Sequence, residues 1–176
     1  MTTFVALLRG INVGGKNKVP RATLRGLAEQ LGASNPRTHV QSGNLVVEAR
    51  GSAAELEEAL EAALVEHLDV KAPVIVRSAR QWTALIDEKP APDANPQRLM
   101  LALAKYLIAR GAAAHLEDRA AARESMVRSG DAFWIHFPNG VARSKLTPAV
   151  LDHAAGSPVT MRNLRTVEAI RSLVQR

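Results

Sequence analysis

The apolar positions of this chain follow two periods, one suited to strands and one to helices. Residues 4–9 form an apolar run that closes on Arg9 and predicts a buried strand. Behind Pro20, a residue suited to the first helical position, Leu24, Leu27, Ala28 and Leu31 repeat at helical spacing until Gly32 stops them. Residues 38–48 read as two short strands about Ser42-Gly43-Asn44, a glycine-containing hairpin. Ser52 and Glu55 stand at capping-box spacing ahead of a helix striped with Leu56, Leu60, Leu64 and Leu68. Its acids Glu55, Glu57, Glu58 and Glu61 read as a solvated face that complements the helix dipole. Pro73-Val74-Ile75-Val76 predicts a short buried strand, and Ser78 with Gln81 caps a bridging helix that reaches residue 87.

The predicted order β-α-β-β-α-β is the split βαβ, ferredoxin-like arrangement. A linker at residues 89–97 carries three prolines, and beyond it the pattern returns. Val40-Gln41-Ser42-Gly43-Asn44 finds a counterpart in Val127-Arg128-Ser129-Gly130-Asp131, and Pro73-Val74 with Arg77 in Pro158-Val159 with Arg162. The offsets, 87 and 85 residues, suit one duplication with small gaps. The expected fold is therefore α+β: two tandem ferredoxin-like halves related by internal duplication, residues 1–88 and 98–176, closely packed. One stretch is not repeated. RGINVGGKNKV follows the first opening strand, whereas the second is followed by a plain alanine-rich segment. A loop absent from the second copy points to a role besides folding.

At 176 residues the chain can bury roughly 70% of its unfolded surface without a staple. It has no cysteine, which excludes a disulfide framework, a thiolate metal site and a cysteine nucleophile together. The five histidines lack metal-ligand spacing and no paired carboxylates mark a loop, so neither metal nor cofactor is expected. No apolar segment approaches a membrane span and no secretory leader is evident, which predicts a cytoplasmic protein. The net charge of +6 favours anionic partners, although it equally suits an arginine-rich soluble protein.

Four segments offer ligand-binding side chains. In the unrepeated loop, Gly14 and Gly15 can turn successive N–H groups inward as an anion nest, with Arg9, Lys16 and Lys18 adding charge. The same glycines can simply make the turn, with Asn12 capping it. The loop is neither a Walker A sequence nor G-x-G-x-x-G. At the hairpin tip, Gln41 and Asn44 could hydrogen-bond a base or amide, or serve the turn alone. Ser144 and Lys145 precede Thr147-Pro148, an N-cap followed by proline at the first helical position, and could hold an anion there. Arg162, Asn163 and Arg165 surround the start of the last helix, with Asn163 as its N-cap. Cations at that end oppose the dipole unless an anion compensates them, an internal acid such as Glu48 or Asp152 or an external ligand.

LLRGINVGGKNKVP at 7–20, QSGNLVV at 41–47, PNGVARSKL at 138–146 and TMRNLRTV at 160–167 together resemble the uncharacterised bacterial family known as domain of unknown function 1697. The resemblance implies two ferredoxin-like halves and no established activity. The chemistry of the residues then leaves two expectations. One is a binding protein for a phosphate-bearing or otherwise anionic ligand, nucleic acid or nucleotide-like. The other is an enzyme acting on a small anionic substrate in a groove between the halves, relying on charge stabilisation because no general base is evident. Stacking aromatics of the RNA-recognition type are missing, so nucleic acid would be held by its backbone.

Overall fold

A computed structural model of the chain describes residues 1–90 and 95–176. Part of the predicted proline-containing linker, residues 91–94, lies outside the described residues. Contacts divide the chain into two units, residues 1–83 with 169–176, and residues 84–168. Against the expected halves, residues 84–88 join the second unit and the final residues join the first.

The first unit contains β1 (Thr2–Leu8), α1 (Arg21–Gln30), β2 (Ser34–His39), β3 (Asn44–Ala49), α2 (Ala53–Leu68) and β4 (Val74–Ser78), followed by the start of α3 (Ala79–Asp87). Its strands form an antiparallel sheet in the order β2-β3-β1-β4. Phe4, Ala6, Leu8, Leu45, Val47, Val74 and Val76 share one core with the α1 and α2 leucines. The alternate residues Val5, Leu7, Val46 and Ile75 are buried too. Burial on both faces is why these strands read as unbroken apolar runs.

The acids of α2 require a correction. Glu57 is buried, and its Oε1 accepts the Val76 N–H at 2.7 Å and lies 3.9 Å from Arg77 Nη1. Glu61 Oε1 accepts the Val74 N–H at 2.8 Å. β4 is an edge strand, and its outward N–H groups have no neighbouring strand to bond. Glutamates four apart on a helix rise about 6 Å, close to the rise of two strand residues. The predicted solvated face is thus partly a surrogate strand that covers an edge.

The second unit completes α3 and adds β5 (Leu99–Ala104), α4 (Ala112–Glu117), β6 (Ser125–Ser129), β7 (Ala132–His136), a 3₁₀ turn (Val141–Arg143), α5 (Pro148–Ala155), β8 (Val159–Asn163) and the first half of α6 (Leu164–Val174). The sheet order is β6-β7-β5-β8, again antiparallel. Phe133, Ile135, Phe137, Leu146 and Leu151 anchor its core, and the Trp134 indole donates to the Leu85 carbonyl at 2.9 Å. Thr147 Oγ1 accepts the Val150 N–H with Pro148 behind it, the expected cap.

The two hairpins that look alike in sequence differ in register. His39 pairs with Asn44 across the four residues 40–43, whereas Ser129 pairs with Ala132 across Gly130-Asp131 alone. Asn44 stands opposite Leu7, and Ala132, not Asp131, stands opposite Leu103. Val40 therefore sits in a turn at φ 48, while Val127 lies in a strand opposite Trp134. The matching letters occupy unlike positions because the turns differ in length.

Candidate functional site

β2 is the outer strand of the first sheet, and its sequence marks it as one. Pro36 has no N–H for a ladder and is tolerated at an edge. A bulge between Ser34 and Arg37, with Asn35 at φ 50, breaks the register. Beyond the bulge come Arg37 and Thr38. α1 begins beside them, at Arg21 and not at Pro20. Pro20 is the N-cap, in extended conformation, and no side chain caps the helix. The first helical bond runs from Leu24 N–H to Pro20 O at 3.0 Å, so the N–H groups of Arg21, Ala22 and Thr23 point out of the helix end.

Arg21, Ala22 and Arg25 of α1 line one side of an open groove of about 610 Å³. Pro36, Arg37 and Thr38 of β2 line another, Gln41 stands in the turn, and Leu173 and Arg176 complete it from the chain's final residues. Arg25 Nη1 donates to Thr38 Oγ1 at 2.9 Å, which fixes one guanidinium against the strand. Four arginines line the groove and, among the described residues, no Asp or Glu does.

This arrangement opposes folding in three ways. Arg21 places a cation in the first turn, where the helix dipole disfavours it. Arg21 and Arg25 are four residues apart, so like charges share one helix face. The Arg37 Nε atom is buried and, among the described residues, has no hydrogen-bond partner. An unbonded buried donor costs about 1–3 kcal/mol.

The unrepeated loop is built differently from an open nest. Gly14 and Gly15, at φ 57 and 76, are the centre of a two-residue turn closed by Lys16 N–H on Val13 O at 3.0 Å. Asn12 N–H donates to Asn17 O at 3.0 Å, and Asn17 Nδ2 donates to Gly10 O at 3.0 Å. Lys16 and Lys18 are exposed. The Asn12 amide acts as a clip: Oδ1 accepts the Val19 N–H at 2.9 Å while Nδ2 donates to Val19 O at 3.1 Å and to Gln41 O at 2.6 Å. The loop and the hairpin tip thereby meet, and Gln41 is the predicted residue that reaches the arginine groove. Asn44 is buried, its Nδ2 donating to His39 O and Ser42 Oγ within the hairpin. Arg9 follows β1, its N–H donating to Pro73 O at 2.9 Å.

The remaining predicted residues belong to the second unit. Ser144 Oγ accepts the Leu146 N–H at 3.0 Å, and Lys145 beside it is exposed. Asn163 Oδ1 accepts the Thr166 N–H at 2.9 Å, the expected cap of α6. Arg162 does not straddle that helix end. It lies within β8 opposite Leu101, and its Nη1 donates to Thr160 Oγ1 and Met161 O, both at 2.8 Å. Burial lowers its pKa to about 10. Arg165 is exposed at the second residue of α6. Asp152 Oδ1 accepts the Val159 N–H, and Glu48 Oε1 accepts Asn35 Nδ2.

Sequence reasoning missed Arg21, Arg25, Arg37 and Arg176. The signal for the first two was present: cations four apart behind Pro20, at a helix start without acids. Arg37 stands one residue before the predicted hairpin, and Arg176 is joined to the others only by folding.

The chain belongs to the family described as "Protein of unknown function (DUF1697)", which matches residues 1–134 and so includes three of the four groove arginines. In structure it is similar to a conserved bacterial protein, SP0830, from Streptococcus pneumoniae. That protein is 26% identical over 98% of each chain, with a TM-score of 0.79. No curated protein matches. Among the described residues, no helix is long and apolar enough to cross a membrane.

Proposed function

We propose that the chain is a binding protein for a phosphate-bearing ligand, nucleic acid or nucleotide-like, and that the arginine groove of the first unit holds the phosphate. The observation that carries this reading is four arginines around an uncapped helix start with, among the described residues, no Asp or Glu in the lining. Helix N-termini and arginine forks are both suited to phosphate oxygens. Among the described residues the lining holds no histidine, aspartate or glutamate to serve as a general base, which favours binding. The same proposal takes the two units as ferredoxin-like copies of one ancestral half. Support comes from their like strand orders and from like bonds, Arg9 N–H to Pro73 O and Lys105 N–H to Pro158 O.

Calorimetric titration with adenosine nucleotides and a 5′-phosphorylated oligonucleotide tests the binding claim. At least one should bind, with affinity falling as salt rises from about 50 to 200 mM. Arg25→Gln and Arg37→Gln should each weaken binding about 10–100-fold, the worth of a hydrogen bond to a charged group. Arg165→Gln should leave it unchanged. Binding that ignores the groove variants would remove the proposal.

A further inference from the structure

Resting on that reading, we infer the class of ligand: a small molecule carrying a diphosphate or triphosphate, held by its phosphates and not by its base. Three features of the groove separate this from a nucleic-acid backbone.

The first is compactness. A protein tracking a nucleic acid meets one charge per nucleotide, spread along the strand, and neutralises several at separate points. Here Arg21 and Arg25 lie one helical turn apart, Arg25 is tied to Thr38, and Arg37 and Arg176 line the same groove. The volume, about 610 Å³, falls within the range of small-ligand pockets.

The second is charge density. A terminal phosphate carries nearly two negative charges at neutral pH and each internal phosphate of a chain roughly one more. A triphosphate thus brings about four, against four arginines and the positive end of α1. The outward N–H groups of Arg21, Ala22 and Thr23 suit the oxygens of one phosphate. Arg25 lines the same groove and is already ordered by Thr38 before any ligand arrives.

The third is what the lining lacks. Single-stranded nucleic acid is generally gripped by stacking on aromatic rings. Among the described residues the groove has none. Its apolar lining consists of Ala22, Pro36 and Leu173. Selectivity should therefore follow phosphate number and be nearly blind to the base.

The test is calorimetric titration of the full chain, in the absence of divalent metal, with inorganic triphosphate, pyrophosphate, orthophosphate, ATP, GTP and a 12-nucleotide single-stranded DNA. Triphosphate should bind about tenfold more tightly than pyrophosphate and about a hundredfold more tightly than orthophosphate. ATP and GTP should agree within about threefold. Arg21→Gln, an exposed position whose loss leaves the core intact, should weaken triphosphate about tenfold, as should Arg37→Gln. Orthophosphate binding as well as triphosphate, or a strong preference between ATP and GTP, would overturn the inference. DNA binding without triphosphate binding would overturn it too, while leaving the phosphate-binding groove in place. If no probe binds, or if the variants bind triphosphate unchanged, both readings fall.

Discussion

The outer strand of the first sheet carries Arg37 where the outer strand of the second carries Val127. Arg37 stands opposite Val46 and through it Val5; Val127 stands opposite Trp134 and through it Leu101. The arginine has a buried, unbonded Nε, whereas the valine is 47% exposed. Burial energetics alone would place them the other way round. The neighbouring helices differ in the same sense. α1 has ten residues and begins with Arg21; α4 has six and begins with three alanines. A cavity of about 390 Å³ in the second unit is lined by Glu117 and Glu124 as well as Arg123, so its charges have partners at hand. Two sheets of one strand order thus separate what folding needs from what it does not, and the surplus lies in the first.

The hairpin turns offer the largest effect that can break this contrast. Gly43 is at φ 76, and a Cβ there would lie 2.7 Å from Leu8 Cβ and 2.8 Å from Ile11 Cδ1. Gly130 is also left-handed, at φ 53, but faces open space. Gly43→Ala should cost about 2–5 kcal/mol, overpacking plus left-handed strain. Gly130→Ala should cost only the strain, about 1–2 kcal/mol. Urea denaturation of both variants measures the difference. Equal losses would mean the first hairpin is no more tightly seated than the second.

Asn12 gives the next largest. Its side chain makes three hydrogen bonds that tie the unrepeated loop to Val19 and Gln41. Asn12→Ala should destabilise by about 2–3 kcal/mol, at roughly 1 kcal/mol per bond. Triphosphate affinity should fall less than in Arg25→Gln. Unchanged stability with abolished binding would return the loop to the role of direct ligand contact.

Local rules made much of this molecule legible from its letters. Ser52 with Glu55, Ser78 with Gln81, Thr147 with Pro148 and Asn163 with Thr166 act within four residues, and each appears as spacing predicts. Glu57 and Glu61 were misread because their partners, the N–H groups of an edge strand, depend on which strand lies outermost. Strand order is not written at any one position. The groove was out of reach for the same reason: residues 21, 25, 37 and 176 share a surface only once β2 is known to be an edge. The glycine loop attracted attention because turn-making and anion-binding use the same letters. Its hydrogen bonds to Val13, Val19 and Gln41 account for the turn, and none of these uses the Gly14 or Gly15 N–H.

The smallest effect sharpens the contrast within the first unit, between the starts of its two main helices. At α2, Ser52 Oγ accepts the Glu55 N–H at 3.2 Å and Glu55 Oε2 accepts the Ser52 N–H at 2.7 Å. Those bonds, the backbone one foremost, hold the Glu55 carboxyl below its ordinary value of 4.5. Its contribution is complete above that value and is lost as pH falls through the depressed one, so Glu55→Gln should flatten the acid limb of the stability curve. α1 has the reverse: proline at the cap, arginine at the first position and no acid in the first turn. Arg21→Glu replaces a cation that the dipole repels with an anion it attracts, and removes the repulsion from Arg25. The free protein should gain about 1 kcal/mol at low salt, read as a higher urea midpoint, and the gain should shrink as salt rises. Triphosphate binding should fall in the same variant. A side chain that weakens the empty protein and strengthens the loaded one is placed for its ligand; a loss of stability in Arg21→Glu would instead make Arg21 part of the fold, with its counter-charge inside the chain.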